Sequence, residues 1–211
     1  LKWKFQQRLE LRLMSHRKKA PLEEEREPVP LTNQEKTFVK DWNTHPMRKP
    51  RILKVCVNFA VGTSGSQLER ARTLCERLTN QVPAEGRAKE SVRGFGIRKH
   101  EPIAVFTTLR GKLAKDFLKK AFWAVEDKVS HRNFDTHGNL SLGIKEHLSL
   151  PDIKYDPQIG VHGFDTTIVL ERPGFRTNRR RTQSTKIPSN HKITKEEGIA
   201  FFKHEFNLGV E

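Results

Sequence analysis

Cysteine is scarce in this 211-residue chain, which has two, and so is any long apolar run. Cys56 and Cys75 form no CxxC pair and stand in apolar patterns, so we expect buried free thiols. The alternative is a disulfide, which is typical of secreted proteins, but no other feature of the sequence suggests secretion. No apolar run approaches the roughly 18 residues that a membrane span needs. Charges interrupt every apolar pair near residue 1, so no signal peptide is expected.

Motifs for catalysis are missing as well. There is no GxxxxGK[ST] loop, and Gly94–Gly96 is only a fragment of a glycine-rich nucleotide loop. The nine histidines are scattered, and no His/Cys set has the spacing of metal ligands. A magnesium site for a nuclease is one alternative, but its candidates Asp152, Asp156 and Asp165 stand beside strand ends or prolines. We therefore expect no catalytic residue, no metal and no cofactor.

Positive charge is what the chain has in excess. It has 40 Lys and Arg against 25 Asp and Glu, a formal net charge of +15. Such a balance indicates a polyanionic partner, either nucleic acid or an anionic membrane surface. The 35% hydrophobic content suffices for a modest core, although it is low for an enzyme.

Residues 1–43 are predicted to form an N-terminal extension. Residues 1–19 hold seven Lys/Arg and one acid among apolar residues, a pattern typical of a membrane-surface segment or of one that orders on RNA. Residues 20–30, with three prolines and four glutamates, are predicted to be a linker. Thr32 and Glu35 form a capping box that opens a short helix. Residues 44–211 then form a single α+β domain.

Three more helices are predicted inside that domain. Ser66 with Glu69 and Thr194 with Glu197 have the capping-box spacing that marks a helix start. The third helix, over about 112–130, has apolar residues at helical spacing that should be buried. These are Leu113, Phe117, Ala121 and Val125.

Four strands are predicted from apolar alternation. They cover residues 52–59, 102–109, about 140–149 and 164–171. In the first, Leu53, Val55, Val57 and Phe59 share one face, and Lys54, Cys56 and Asn58 share the other. One apolar face and one mixed polar face predict an α/β (α+β) fold, with a mainly antiparallel sheet and helices on one face. The other face is then free to meet a polar partner.

A basic loop at residues 86–101 surrounds Phe95 with cations. The cations are Arg87, Lys89, Arg93, Arg98 and Lys99. Glycines on both sides of Phe95 allow a close approach to a partner. An aromatic residue framed by cations suits an unstacked base or an RNA groove. The alternative is a flexible hairpin whose Phe95 packs back onto the core.

A second basic segment spans residues 172–192 and contains no acid. Its cations are Arg172, Arg176, Arg179, Arg180, Arg181, Lys186 and Lys192. Unpaired guanidinium groups are too costly to bury, so these side chains are expected to face water or phosphate. RNA contact is favoured over a merely solubilising run, since acids would normally be interspersed.

Six blocks of the chain, in order and spacing together, carry a family resemblance. The blocks are Lys54–Gly62, Arg93–Arg98, Pro102–Gly111, Phe134–Glu146, Leu170–Phe175 and His191–Glu197. They resemble the universal large-subunit ribosomal protein family that binds 5S ribosomal RNA (the L-five family), in its archaeal and eukaryotic branch. The resemblance runs from about His45 to Val210. Residues 1–43 have no counterpart in it, and Ala60 stands where a glycine-like residue is expected.

The resemblance implies a curved sheet whose open face grips 5S rRNA. The positions that match the family's contacts are Asn58, Gln81, Thr108 and Arg110. It also implies that the 86–101 loop reaches the P-site tRNA. In a ribosomal setting, the RNA expected at the basic segment is large-subunit rRNA. The expected place is the central protuberance of the large subunit of cytoplasmic ribosomes. There the chain would adjoin another 5S-binding ribosomal protein and form a bridge to a small-subunit head protein.

The expected role is therefore structural rather than enzymatic. Two alternatives from other classes stay open on the residues alone: a metal-dependent nucleic-acid-processing enzyme and a basic peripheral membrane protein. The RNA-binding hypothesis sets two structural conditions. The polar face of the sheet must not lie under helices, and the arginines of the basic segment must not be paired with internal carboxylates.

Overall fold

A five-stranded antiparallel sheet organises the chain, in the order β2-β3-β1-β6-β5. The structure, a computed structural model, describes residues 29–151 and 153–211. The predicted segment 1–19, the linker up to residue 28 and Asp152 lie outside these ranges. The strands are β1 (Arg51–Ala60), β2 (Ala84–Arg87), β3 (Pro102–Leu109), β4 (Lys128–Val129), β5 (Leu140–Ile144), β6 (Phe164–Glu171) and β7 (Gly209–Val210).

Helices complete the mixed α/β architecture, which confirms the predicted fold class. The helices of the described residues are α1 (Asn33–Thr44), α2 (Ser66–Thr79), α3 (Gly111–Ala124), the short α4 (Arg176–Arg179) and α5 (Lys195–Phe206). Strands β4 and β7 pair in parallel, apart from the main sheet. The division of the chain into residues 1–43 and 44–211 stays a prediction.

Two of the predicted helix starts are confirmed by their caps. The Glu35 carboxylate accepts a hydrogen bond from the Thr32 amide at 2.8 Å, as in a capping box. The Thr194 hydroxyl accepts one from the Glu197 amide. The third assignment was wrong in detail: Ser66 is the first helical residue, and the N-cap is Gly65 at φ +94°.

Helix α3 is shorter than the predicted 112–130, and one residue of its predicted buried face is exposed. Glu126 and Asp127 adopt left-handed backbone conformations, with φ of 57° and 56°, which end the helical path. Lys128 and Val129 then pair with β7 instead of continuing the helix. Phe117 and Ala121 are buried as predicted, whereas Leu113 is exposed.

The strand predictions hold best where alternation is clean. β3 and β6 have the predicted bounds, and β1 is one residue longer at each end. β5 stops at Ile144, because residues 147–149 form a 3-10 turn. The edge strand β2 was not predicted, because its residues lack apolar alternation. A bulge in β1 between Ile52 and Lys54 removes Leu53 from the predicted apolar face and puts Ile52 against the core.

The core lies on one side of the sheet only. Val55, Val57 and Phe59 of β1 point into it and are fully or almost fully buried. Helix α2 covers this side, where the Cys75 sulfur lies 3.2 Å from the Thr107 hydroxyl. Helix α3 and the start of β6 also meet here, through the rings of Phe117 and Phe164. The opposite side of the sheet receives neither helix.

A buried polar network joins the end of β6 to α1 and α5. Arg172 is 7% exposed and pairs with the Glu197 carboxylate, which also accepts a hydrogen bond from the Trp42 indole at 3.0 Å. The Lys203 ammonium bonds Glu35 at 2.8 Å beside it. This corrects the expectation that every arginine of the basic segment faces solvent, because a carboxylate of α5 compensates the buried charge.

Replacing Glu197 should therefore destabilise the fold. Glu197→Gln keeps an acceptor for Trp42 but leaves the Arg172 guanidinium buried without its counter-charge. Breaking a buried pair in this way costs about 3–5 kcal/mol. We expect a loss of that order in the free energy of unfolding, measured by urea titration.

Glu196→Gln is the matched control, because Glu196 is the neighbour in the same helical turn and is not buried. It should change the free energy of unfolding by less than about 1 kcal/mol. Equal unfolding midpoints for the two variants would show that the Arg172 charge is compensated elsewhere.

Candidate nucleic-acid interface

The uncovered side of the sheet carries a short cross-strand row of small polar side chains. The register places Thr108 of β3, Cys56 of β1 and Thr167 of β6 side by side, with Ser141 of β5 next in line. The Cys56 sulfur lies 3.8 Å from the Thr108 hydroxyl, and the Ser141 and Thr167 hydroxyls are 3.3 Å apart. These contacts leave donor and acceptor capacity for an external partner.

A second row crosses the same face beside it. Asn58 of β1 stands between Phe106 of β3 and Asp165 of β6. Phe106 is 41% exposed, although its strand lies inside the sheet. Phe106 was not among the predicted contact residues, although two-residue alternation from Thr108 places it on the same face. An amide beside an uncovered aromatic ring can bond and stack on an unpaired base.

Cys56 belongs to this face rather than to the core. The expectation of two buried thiols is correct for Cys75, whose pKa is raised by burial. Cys56 is only half-buried, and both cysteines are free. The even positions of β1 thus form the polar side, as the alternation of Lys54, Cys56 and Asn58 predicted.

The other two predicted contact residues lie at the margins of the face. Arg110 follows β3 directly, is exposed, and donates to the Leu53 carbonyl of β1 at 3.4 Å. Gln81 is half-buried in the connection from α2 to β2, just before the strand that pairs with β3. Asn58, Thr108 and Arg110 therefore share one surface, whereas Gln81 lies in the connection that leads from α2 to the edge strand β2.

The 86–101 loop forms a small ordered hairpin beyond β2 and β3. Val92 and Ile97 exchange two backbone hydrogen bonds, of 3.0 and 3.2 Å, around a 3-10 turn at residues 93–95. Gly96 takes a left-handed conformation at φ +66°, which closes the turn. Phe95 at the tip is 80% exposed, so the alternative in which it packs onto the core is wrong.

The base of this hairpin is fixed by Glu101. Its carboxylate accepts hydrogen bonds from the Ser64 hydroxyl and from the Arg98 amide. These bonds hold the pKa of Glu101 below its ordinary value, so that the group stays ionised. The five predicted cations of the loop are all exposed: Arg87, Lys89, Arg93, Arg98 and Lys99.

The basic segment folds into a compact loop that starts with α4. The Thr185 amide returns to the Thr177 carbonyl at 3.2 Å, and the Ser184 hydroxyl bonds the Asn178 carbonyl. The fold leaves most of the predicted cations exposed. These are Arg176, Arg180, Arg181, Lys186 and Lys192.

Arg179 is held in place by an internal carboxylate. Glu171, at the end of β6, accepts hydrogen bonds from Arg179 at 2.6 Å and from Arg51 at 2.8 Å. The Glu171 side chain is buried, whereas both guanidinium groups stay about half exposed. The first condition of the RNA-binding hypothesis, that no helix lies on the polar face of the sheet, is met by the part of the chain that the structure describes. The second is met by three arginines of the segment and not by Arg172 or Arg179.

The carboxylates considered for magnesium do not converge in the described part of the chain. Asp156 bonds Arg77 at 2.9 Å, and Asp165 lies on the open face across from Asn58. Within residues 29–151 and 153–211, no group of three or more His, Cys, Asp and Glu side chains could hold a metal ion. No helix of these residues is both long and apolar enough to cross a bilayer.

Comparison with known proteins adds independent support for the resemblance to a ribosomal protein family. Residues 45–98 match the family model described as ribosomal protein L5, and residues 102–201 match the model for the C-terminus of the same ribosomal family. The chain is 44% identical to large ribosomal subunit protein uL5 of Aeropyrum pernix, over 81% of this chain and 90% of that protein. It is 43% identical to the uL5 of Methanococcoides burtonii, over 80% of this chain and 99% of the relative.

A third relative, the uL5 of Sulfurisphaera tokodaii, is 46% identical over 79% of this chain and 94% of its own length. The matched family is one of structural ribosomal proteins and not of enzymes, which decides against the nuclease alternative. With its one-sided sheet, exposed basic loops and these matches, the chain belongs to the ribosomal L5 family, whose members are proteins of the large ribosomal subunit.

Proposed function

We propose that the open face of the sheet binds 5S rRNA. The observation that carries this proposal is the pair of polar rows across β3, β1 and β6, which no helix of residues 29–151 and 153–211 covers. Most side chains of these rows are uncharged, so they suit base edges and 2′-hydroxyl groups better than a run of phosphates. Asn58 and Thr108 lie at the centre of this surface.

The basic segment contributes the positive charge that RNA binding also requires. Arg176, Arg180 and Arg181 are exposed and make no ion pair within the described residues. Guanidinium groups bind phosphate oxygens bidentately and release counterions on binding. The segment would thus hold the phosphate backbone of 5S or large-subunit rRNA, while the sheet reads the bases.

This division of labour predicts different effects of substitution. Arg180→Ala with Arg181→Ala should weaken binding to every RNA. It should also make the negative slope of log K against log salt shallower by about 2, because two phosphate contacts are lost. Asn58→Ala should leave that slope unchanged while reducing the preference for 5S rRNA over an unrelated RNA. Filter binding or fluorescence anisotropy over a salt series measures both quantities.

The matched control is Lys36→Ala with Lys40→Ala on α1, which removes the same charge from a helix away from the sheet. It should alter the salt slope much less. If both double variants lower affinity equally, binding follows net charge, and the segment has no special place. If Asn58→Ala weakens all RNAs alike, the open face does not select 5S rRNA.

The hairpin at residues 86–101 is proposed to contact the P-site tRNA. It extends from the sheet edge as an ordered unit with Phe95 exposed and cations around it, so little conformational entropy is lost when it binds. A folded RNA surface accepts such an aromatic residue by stacking and accepts its cations by phosphate contact. Glu101 links the base of the hairpin to Ser64 and to the Arg98 backbone, which supports this ordered conformation.

Phe95→Ala should accordingly increase the dissociation rate of P-site tRNA from ribosomes that carry the variant, by several-fold if one base stacks there. Affinity for free 5S rRNA should not change. Tyr155→Ala, at another exposed aromatic residue, is the control and should leave tRNA dissociation unaltered. Unchanged tRNA dissociation in the Phe95 variant would contradict this role for the loop.

The remaining partners follow from the family resemblance. We propose that the chain lies in the central protuberance beside another 5S-binding ribosomal protein. There it would also contribute to the bridge with a protein of the small-subunit head.

A further inference from the structure

An unassigned cleft opens where the uncovered face meets the basic segment. It has a volume of about 460 Å³, within the range of small-molecule sites. One wall is formed by the start of β1, the end of β6, and His137 with Asn139, and the other by residues 175–193. Val169, which lines it, sits across from Lys54 at the margin of the open face. The cleft is therefore continuous with the surface proposed to bind RNA.

The inner surface of the cleft is largely apolar. Leu53 and Val169 line it from the sheet, and Phe175 and Ile187 from the segment. Leu53 faces the cleft because it is the additional residue of the β1 bulge. The Phe175 ring is supported by His191, with ring centroids 5.8 Å apart. This arrangement fixes an aromatic wall before any ligand arrives.

The rim of the cleft is cationic. Lys186 and Lys192 are exposed there and make no ion pair within the described residues. The one carboxylate in the lining is Glu171, which Arg51 and Arg179 neutralise. The occupant that complements these walls has a flat, weakly polar body and carries negative charge next to it.

We propose that this cleft receives one unstacked nucleotide of the bound RNA. The base lies against Phe175 and Val169, and its phosphate faces Lys186 and Lys192. The Asn178 side chain, which makes no hydrogen bond within the described residues, is available to the edge of the base. This inference rests on the proposed RNA-binding function and adds a specific subsite to it.

Two substitutions test the proposal on the full chain with 5S rRNA as the probe. Val169→Trp fills the cleft without a change of charge, and we expect affinity for 5S rRNA to fall about tenfold, as for the loss of one stacked base. The matched control is Val161→Trp, at an exposed valine outside the cleft, which should bind as the parent chain does. Thermal melting checks that both variants fold.

If Val169→Trp melts markedly lower, Phe175→Leu replaces it, because that change removes the aromatic wall and leaves the cleft open. We expect a several-fold loss of affinity from this variant too. If the parent chain binds 5S rRNA and every cleft variant binds equally well, the subsite is overturned while the proposed function stands.

A mononucleotide assay separates the subsite from 5S binding as a whole. In NMR spectra of the ¹⁵N-labelled chain, millimolar AMP should shift the amide signals of Asn178 and Ile187, and Val169→Trp should abolish the shifts. Equal shifts from inorganic phosphate would reveal an anion site without base recognition. Shifts from an oligoglutamate peptide but not from AMP would assign the cleft to an acidic protein segment. Either result overturns the proposal.

Discussion

The antiparallel pairing of β1 with β3 and β6 is the constraint on which the rest of the molecule depends. It aligns the odd residues of β1 with a core that α2 and α3 cover, and it leaves Asn58 and Cys56 on the other side with their cross-strand neighbours. Side chains alternate with a period of two, so a shift of one residue would bury Asn58 and expose Val57. Core stability and the composition of the outer surface are therefore set by the same register.

The sequence predicted this sheet well because alternation is a local signal. The bounds of β3 and β6 and the polar side of β1 could be read from single strands, and the capping boxes at Thr32 and Thr194 marked two helices. The strand β2 could not be found in this way, because an edge strand of Ala, Glu, Gly and Arg owes its structure to its partner β3. Asn58, Thr108 and Arg110 were grouped only through the family resemblance. The strand register then places these three residues on one surface.

The charges of the basic segment were harder to predict, since the fate of a guanidinium depends on residues far away in the chain. The carboxylate next to Arg172 in the chain, Glu171, pairs with other arginines, and the partner of Arg172 is Glu197, far along the chain on α5. The hydrogen bond from Trp42 of α1 to Glu197 could not be predicted for the same reason, because the two residues are far apart in the chain. Composition correctly indicated that most of the cations are exposed, but only tertiary structure distinguishes those that can meet phosphate from those that hold the fold together.

The buried carboxylate of Glu171 has a wider consequence. It gathers Arg51 and Arg179 at one corner of the open face of the sheet and cancels part of their charge. Two guanidinium forks held by a fixed counter-ion attract distant polyanions less than two free ones would, yet they have fewer rotamers to lose when a matching partner docks. For a basic chain in a cell crowded with RNA, such an arrangement weakens promiscuous encounters and favours the one ligand whose shape fits.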